Sequence, residues 1–307
     1  MRLTGVFTLF PALLAVQAQV GPGYVTGNTA VHDPTMCKDN SGTYYIFSTA
    51  PGIEIRTSKD RTAWTLIGRV WPNGASWTDQ YTGTSNGNLW APDCTYVNGQ
   101  FILYYSASSF GSQKSAIFLA KSYTGQPGSF SNEGLVTSTS TSNNYNAIDP
   151  NLLIDNGRWF LSLGSFWTGI KSMTLDPSTG KLSSSTVTAL AQRTAASGAV
   201  EASAVFKNGN YYYLFTSWDS CCKGTSSTYN IRVGSATGGF VDKSGVALTS
   251  GGGTLVLGSH GNIIGPGGQD LMVDGDGPIL IYHYYTPSGS FLGINRLDFS
   301  SGWPVVV

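Results

Sequence analysis

Charge is scarce in this chain. Acidic and basic side chains make up 11% of its 307 residues, where an ordinary globular domain spends about a quarter. The 17 basic and 17 acidic residues cancel, so nucleic acid and anionic membrane surfaces are not expected partners. Histidine is scarcer still. His32, His260 and His283 are scattered with no cysteine at ligand spacing, which excludes a recognisable zinc motif. No Asn-x-Ser/Thr acceptor occurs, so N-glycosylation is not expected. Beyond the first residues no apolar run is long enough to span a bilayer, and no stretch keeps a helical period over several turns.

Cysteines are few but even in number: Cys37, Cys94, Cys221 and Cys222. They suit an oxidising compartment and admit alternative pairings that sequence does not choose among. Cys37 and Cys94 lie at similar places in successive repeats and so are able to meet. Cys221 and Cys222 would then form a vicinal bridge, although adjacent Cα atoms about 3.8 Å apart fall below the usual disulfide range. The plainer reading is two small buried thiols.

What the chain has in quantity is glycine (39 residues) and aromatic side chains (12%), a turn-rich β composition. Its N-terminus reads as a secretory signal. Arg2 supplies the positive start, Val6 to Val16 the apolar stretch, and Val16-Gln17-Ala18 the small-residue cleavage site. Residues 1–18 are therefore expected to be removed, leaving a secreted, extracellular protein of residues 19–307.

Five segments share one pattern: an acid or amide, a short apolar strand, a turn with glycine, then an aromatic strand. They begin at Asp33, Pro92-Asp93, Asp149, Glu201 and Gln269-Asp270. Asn98-Gly99, Asn156-Gly157, Asn208-Gly209 and Asp276-Gly277 are hairpin signals. Spacings of roughly 50 to 70 residues fit a four-stranded blade with its loops. The expectation is an all-β protein, a single five-bladed β-propeller over residues 19–307. Two stacked β-sandwiches are the alternative, but they leave the repeated acids unexplained.

The first strand of a blade lines the central channel. Asp33, Asp149 and Glu201 would then converge from blades 1, 3 and 4. Carboxylates crowded into a partly buried space push one another's pKa values apart, as acid–base catalysis requires. One Asp-Pro by itself reads as a turn; three such acids in a charge-poor chain read as function. Trp90, Phe110, Phe166, Trp167 and Trp218 fall where loops would line a pocket, and flat aromatic faces suit sugar rings.

Together, His32-Asp33-Pro34, Trp90-Ala91-Pro92-Asp93, Ile148-Asp149-Pro150-Asn151, Val200-Glu201-Ala202-Ser203 and Tyr282-His283-Tyr284-Tyr285 resemble glycoside hydrolase family 43. The likeness covers nearly the whole mature chain, in order, and is closest to secreted fungal members. It implies an inverting glycosidase on a five-bladed propeller, acting on internal α-1,5 bonds of arabinan and its oligosaccharides. It assigns Asp33 as general base, Glu201 as general acid, and Asp149 as the carboxylate that orients the acid and keeps its pKa raised. An inverting pair stands about 6.5–9.5 Å apart to admit water. Substrate contacts map onto Trp90, Gly111, Asn146, Ala147, Ile148, Ser165, Phe166 and Trp167. No cofactor is implied for the chemistry, but a channel metal, usually calcium, maps onto His283. Where bacterial relatives carry Gly-Pro-Gly-His, this chain has Gly265-Pro266-Gly267-Gly268. A monomer is expected. An exo-acting arabinofuranosidase or β-xylosidase of the family, and a non-catalytic sugar-binding propeller, are the competing readings.

Overall fold

The computed structural model describes residues 19–236 and 238–307. The expected signal segment, residues 1–18, lies outside the described residues. Five antiparallel sheets follow one another along the chain and form the expected five-bladed propeller. Their channel-lining inner strands are Thr35–Lys38, Asn88–Val97, Asn151–Asp155, Val200–Asn208 and Ile264–Asp274. These neighbour one another in a closed cycle, with blade 5 meeting blade 1. Two stacked sandwiches are thereby excluded.

The hairpins between first and second strands carry the turn chemistry. Asn98-Gly99 and Asn156-Gly157 are two-residue loops with both φ values positive, as type I′ turns require. The other two turns fall one residue away from the sequence reading. Asn208 pairs with Tyr211, so the loop is Gly209-Asn210, and Asp274 pairs with Gly277, so the loop is Gly275-Asp276. Strand register, set by side-chain facing, overrides the local dipeptide signal.

No single core exists. Five apolar layers each fill one gap between neighbouring blades. Phe47, Leu89 and Phe101 pack between blades 1 and 2, and Tyr104, Leu152 and Trp159 between blades 2 and 3. Ile170, Val200 and Leu214 lie between blades 3 and 4, and Phe215, Leu280 and Tyr282 between blades 4 and 5. Ile46, Trp64 and Ile281 fill the last gap. A sheet covered on both faces need not alternate polar and apolar residues, and Tyr44–Ser48 is buried throughout. The ring closes without a shared strand: Thr26–Gly27 pairs in parallel with Ala63–Arg69 of blade 1. The same N-terminal segment bonds to blade 5 through Gly23 N–H to Ile294 O and Leu292 N–H to Thr29 O.

A girdle of side chains ties the inner strands together. In four of the five, one residue reaches the next blade's backbone. Asp270 accepts from Met36 N–H (3.0 Å) and the Thr35 hydroxyl (2.7 Å). Thr35 accepts from Cys94 N–H (2.9 Å), Asp93 from Leu152 N–H (2.8 Å), and Asn151 from Val205 N–H (2.8 Å). Blade 4 has Ala204 at this place, and Leu271 N–H turns instead to its own neighbour, Asp270 (2.7 Å). Asp93 and Asp270, which sequence grouped with the repeated acids, are thus interblade fasteners. Burial pushes both carboxyls up, Asp270 to about 6, and the Asp270 charge raises Asp93 further. Cys37 and Cys94 form a disulfide between the inner strands of blades 1 and 2, closing a loop of 57 residues. Such a loop is worth about 4 kcal/mol in the chain-entropy account.

Asp270→Ala leaves the donors of Met36 and Thr35 buried and unpaired. We expect it to lower unfolding stability in urea by roughly 2–4 kcal/mol. An unmoved midpoint would show that the girdle does not hold the ring.

Candidate active site

The entrance to every inner strand is kinked. Asp33, Ala91, Asp149, Ala202 and Gly268 occupy equivalent places in blades 1 to 5, and all have positive φ, between 39° and 57°. In blades 2, 4 and 5 the strand pairing slips across this residue, a β-bulge. A proline follows in blades 1 to 3 (Pro34, Pro92, Pro150), where no ladder donor is needed. Bulges re-aim side chains, and here they turn side chains from strand ends toward the channel mouth. The acids are therefore not equivalent in register. Asp33 and Asp149 sit on the kink, Glu201 one residue before it, and Asp93 two after it in the girdle.

Asp33, Asp149 and Glu201 nonetheless converge, close enough for each to influence another's ionisation. Asp33 is held from several sides. Its Oδ2 accepts from His32 Nδ1 (2.8 Å) and the Thr49 hydroxyl (3.0 Å), while its N–H donates to His283 Nδ1 (3.1 Å). Burial raises the Asp33 carboxyl, but the His32 charge and hydrogen bond, the His283 ring and the Thr49 hydroxyl bring it down to about 2. Glu201 is 8% exposed. Burial raises it to about 7, with the Asp33 charge adding to the effect and the Ser165 hydroxyl, which donates to Oε2, opposing it. Asp149 is raised by burial and by the charges of Glu201 and Asp33. Its Oδ2 accepts from Ala202 N–H (3.0 Å), the peptide that follows Glu201, and its own N–H donates to the Ser106 hydroxyl (3.0 Å). A carboxylate ionised at low pH thus faces a carboxyl that keeps its proton to near neutrality, the separation acid–base chemistry needs.

The other expected residues divide into floor and rim. Trp90 is half-buried and pairs across the blade with Ser106, beside Asp149. Asn146, Ala147 and Ile148 are buried and lead into Asp149. Among the described residues Asn146 Oδ1 has no hydrogen-bond partner. Ser165 is buried on Glu201, while Phe166 and Trp167 both take left-handed backbone (φ 55° and 44°), with Trp167 exposed. Gly111 stands in an exposed loop (φ 76°) with nothing near its Cβ position. Trp218 is not a pocket wall, because it is stacked between Arg193 and Arg232 at 4.3 and 4.5 Å. At Gly268 a Cβ would come within 2.3 Å of Asp33 Oδ1, so this backbone has no room for the histidine of the bacterial motif.

Sequence reading missed Thr49, Ser106 and Tyr285 as site residues. Thr49 and Ser106 sit in ordinary strand context and carry no local signal. Tyr285 was one of many tyrosines, yet its hydroxyl lies 2.8 Å from His32 Nε2 and accepts from His283 Nε2 (3.1 Å). His32 and His283 stack at 4.0 Å. Ligand atoms of His32, Asp33 and His283 lie within 4.8 Å of one another.

A closed five-bladed propeller with an ionised carboxylate and a proton-bearing carboxyl at one channel mouth is the build of an acid–base hydrolase. The model of glycosyl hydrolases family 43 matches residues 24–304, and the chain belongs to that family. It is 42% identical to an Aspergillus flavus protein named "Probable arabinan endo-1,5-alpha-L-arabinosidase A", over 95% of each chain. It is also 42% identical to the extracellular endo-α-(1→5)-L-arabinanase 1 of Bacillus subtilis, covering 90% of this chain and 88% of that one. An exo-1,5-α-L-arabinanase from a bovine ruminal metagenomic library shares the fold (TM-score 0.85, 35% identity, 91% of this chain and 97% of that one).

The Glu201 carboxyl carries a stability consequence. Its folded pKa of about 7 lies above the ordinary 4.5. Below the ordinary value the group is protonated in both states and costs nothing. As pH rises through that window the unfolded chain ionises first, so stability falls until about pH 7. Glu201→Gln removes this cost. It should stabilise the fold at pH 8 by roughly 3 kcal/mol and have little effect near pH 4 in urea unfolding. Equal effects at both pH values would mean Glu201 is not raised.

Proposed function

We propose that this chain is an extracellular endo-1,5-α-L-arabinanase that hydrolyses internal arabinan bonds with inversion. One observation carries the reading: the opposite ionisation of Asp33 and Glu201 at one channel mouth. Asp33, ionised at any working pH, takes a proton from water as the water oxygen bonds to the anomeric carbon. Glu201, still protonated, gives its proton to the departing glycosidic oxygen as that carbon–oxygen bond breaks. Asp149 acts through the Ala202 peptide, whose N–H it accepts, holding the Glu201 backbone in place.

Trp90, Gly111, Asn146, Ala147, Ile148, Ser165, Phe166 and Trp167 are the proposed sugar contacts. Half-buried or exposed aromatics there offer faces for furanose rings, and Asn146 Oδ1 an acceptor for a hydroxyl. The names of the Aspergillus and Bacillus relatives support arabinan and its oligosaccharides as substrate and internal bonds as the target. Secretion after loss of residues 1–18 is supported by the signal pattern, by two disulfides and by the Bacillus relative's name, and the proposed secreted form is residues 19–307 as one monomeric domain. Among the described residues no helix is long and apolar enough to cross a membrane.

Calcium takes six to eight oxygen ligands. The cluster at His283 presents two imidazoles and one carboxylate, and both His283 nitrogens are already hydrogen-bonded. The residues present do not fit calcium.

Asp33→Ala and Glu201→Ala should each lower kcat on debranched arabinan by about 10²–10⁴-fold while circular dichroism stays unchanged. Wild-type-like turnover in either variant would end the assignment. Proton NMR of the first product should show the inverted anomer. The kcat/KM profile should fall above about pH 7 as Glu201 ionises, and hold down to about pH 2–3, where Asp33 gains a proton. Oligosaccharides released before arabinose mean endo action; arabinose from the start would mean exo action.

A further inference from the structure

Cys221 and Cys222 are bonded to each other in the loop between the second and third strands of blade 4, Tyr211–Trp218 and Asn230–Ala236. The loop is pinched at its base, where Thr228 N–H donates to Ser220 O (2.9 Å). Its tip leaves blade 4 and touches both blades of the ring-closing junction. Cys222 N–H donates to the Tyr285 hydroxyl of blade 5 (2.9 Å), and Cys222 Sγ lies 3.7 Å from His32 Nε2, which precedes blade 1. Tyr285 in turn contacts both histidines that flank Asp33. A three-contact path therefore runs from the disulfide to the carboxylate: Cys222 to Tyr285, Tyr285 to His32, His32 to Asp33.

The bridge suits this contact. Cys222 has φ of 66°, a left-handed conformation a non-glycine residue seldom keeps on an exposed loop. Bonding adjacent side chains encloses their peptide in a small covalent ring, which removes the backbone's freedom to leave that conformation. The Cys222 N–H is then held on Tyr285.

We propose that the Cys221–Cys222 disulfide is a positioning element for the base: it locks Tyr285, and through Tyr285 and His32 the Asp33 carboxylate. The proposal rests on Asp33 being the base. It makes the enzyme sensitive to dithiols. A dithiol supplies two electrons and two protons, the Sγ–Sγ bond breaks, two thiols form, and the reductant closes to its own disulfide. Cys222 is exposed, whereas Cys37 and Cys94 are 5% and 7% exposed, so the vicinal bond is the one within reach.

The test is a mutant cycle on debranched arabinan. Cys221→Ala/Cys222→Ala and Tyr285→Phe should each lower kcat about tenfold, with KM within about twofold. Combining them should cost little more, because both cut one path. Additive losses, a change in KM alone, or wild-type kcat would overturn the proposal. If the cysteine variant does not fold, wild-type enzyme is treated briefly with dithiothreitol and alkylated. The fall in kcat should then track alkylation at Cys221 and Cys222, with Cys37 and Cys94 unlabelled, and a parallel sample reduced but left unalkylated should recover on reoxidation with oxidised glutathione. Full activity after that labelling would equally overturn it. Asp33→Asn, assayed in parallel, separates this failure from failure of the base assignment: if it retains turnover, Asp33 is not the base.

Discussion

The left-handed residue at the entrance of each inner strand governs the rest of the structure. An L-residue seldom holds positive φ, yet four do so at equivalent places, with Gly268 at the fifth. Each is held there by neighbours on other blades. Asp33 donates its N–H to His283, and Asp149 donates its own to Ser106. Ala91 N–H donates to Thr49 and Ala202 N–H to Asp149. Local backbone strain is thus held by contacts that cross the ring, as is common where geometry serves chemistry. Without the kinks the acids would continue the strand's alternation and miss the channel mouth.

Five carboxylic acids sit near the axis, and their differing tasks follow from their partners. Asp93 and Asp270 accept backbone and side-chain donors from the next blade and are spent on holding the ring. Asp33 is surrounded by donors that favour its charge. Glu201 has one hydroxyl donor, deep burial and a nearby negative charge, which favour its proton. The residue types are nearly the same. What faces each carboxyl, a charged imidazole at Asp33, neutral donors at Asp93 and Asp270 and one hydroxyl at Glu201, sets which way its pKa moves against the common effect of burial.

Much of this was legible in the chain. Turn dipeptides and aromatic strands at regular spacing reported five blades because hairpins are local. Asp33, Asp149 and Glu201 stood out because charge is so rare elsewhere. What misled was their apparent register. Asp93 opens the second repeat one step after Pro92 and stands apart from the three, but only the bulges show that it lies two residues past the kink. Trp218 looked like a pocket wall, but its two stacking arginines come from places 25 residues before it and 14 after it. Thr49 and Ser106 carried no signal, since a hydroxyl in a strand gives no hint of what crosses to meet it.

By itself the sequence determined the blade count, the three central acids and their family likeness, all properties of short segments or of their order. The tertiary structure alone decided the pairing of the cysteines, the separation of the fastening acids Asp93 and Asp270 from Asp33, Asp149 and Glu201, and the network of His32, His283 and Tyr285 around Asp33. Asp33 and His283 are 250 residues apart in sequence. Contacts of that range depend on the ring closing, and a pKa depends on those contacts, so neither is written in any segment of the chain.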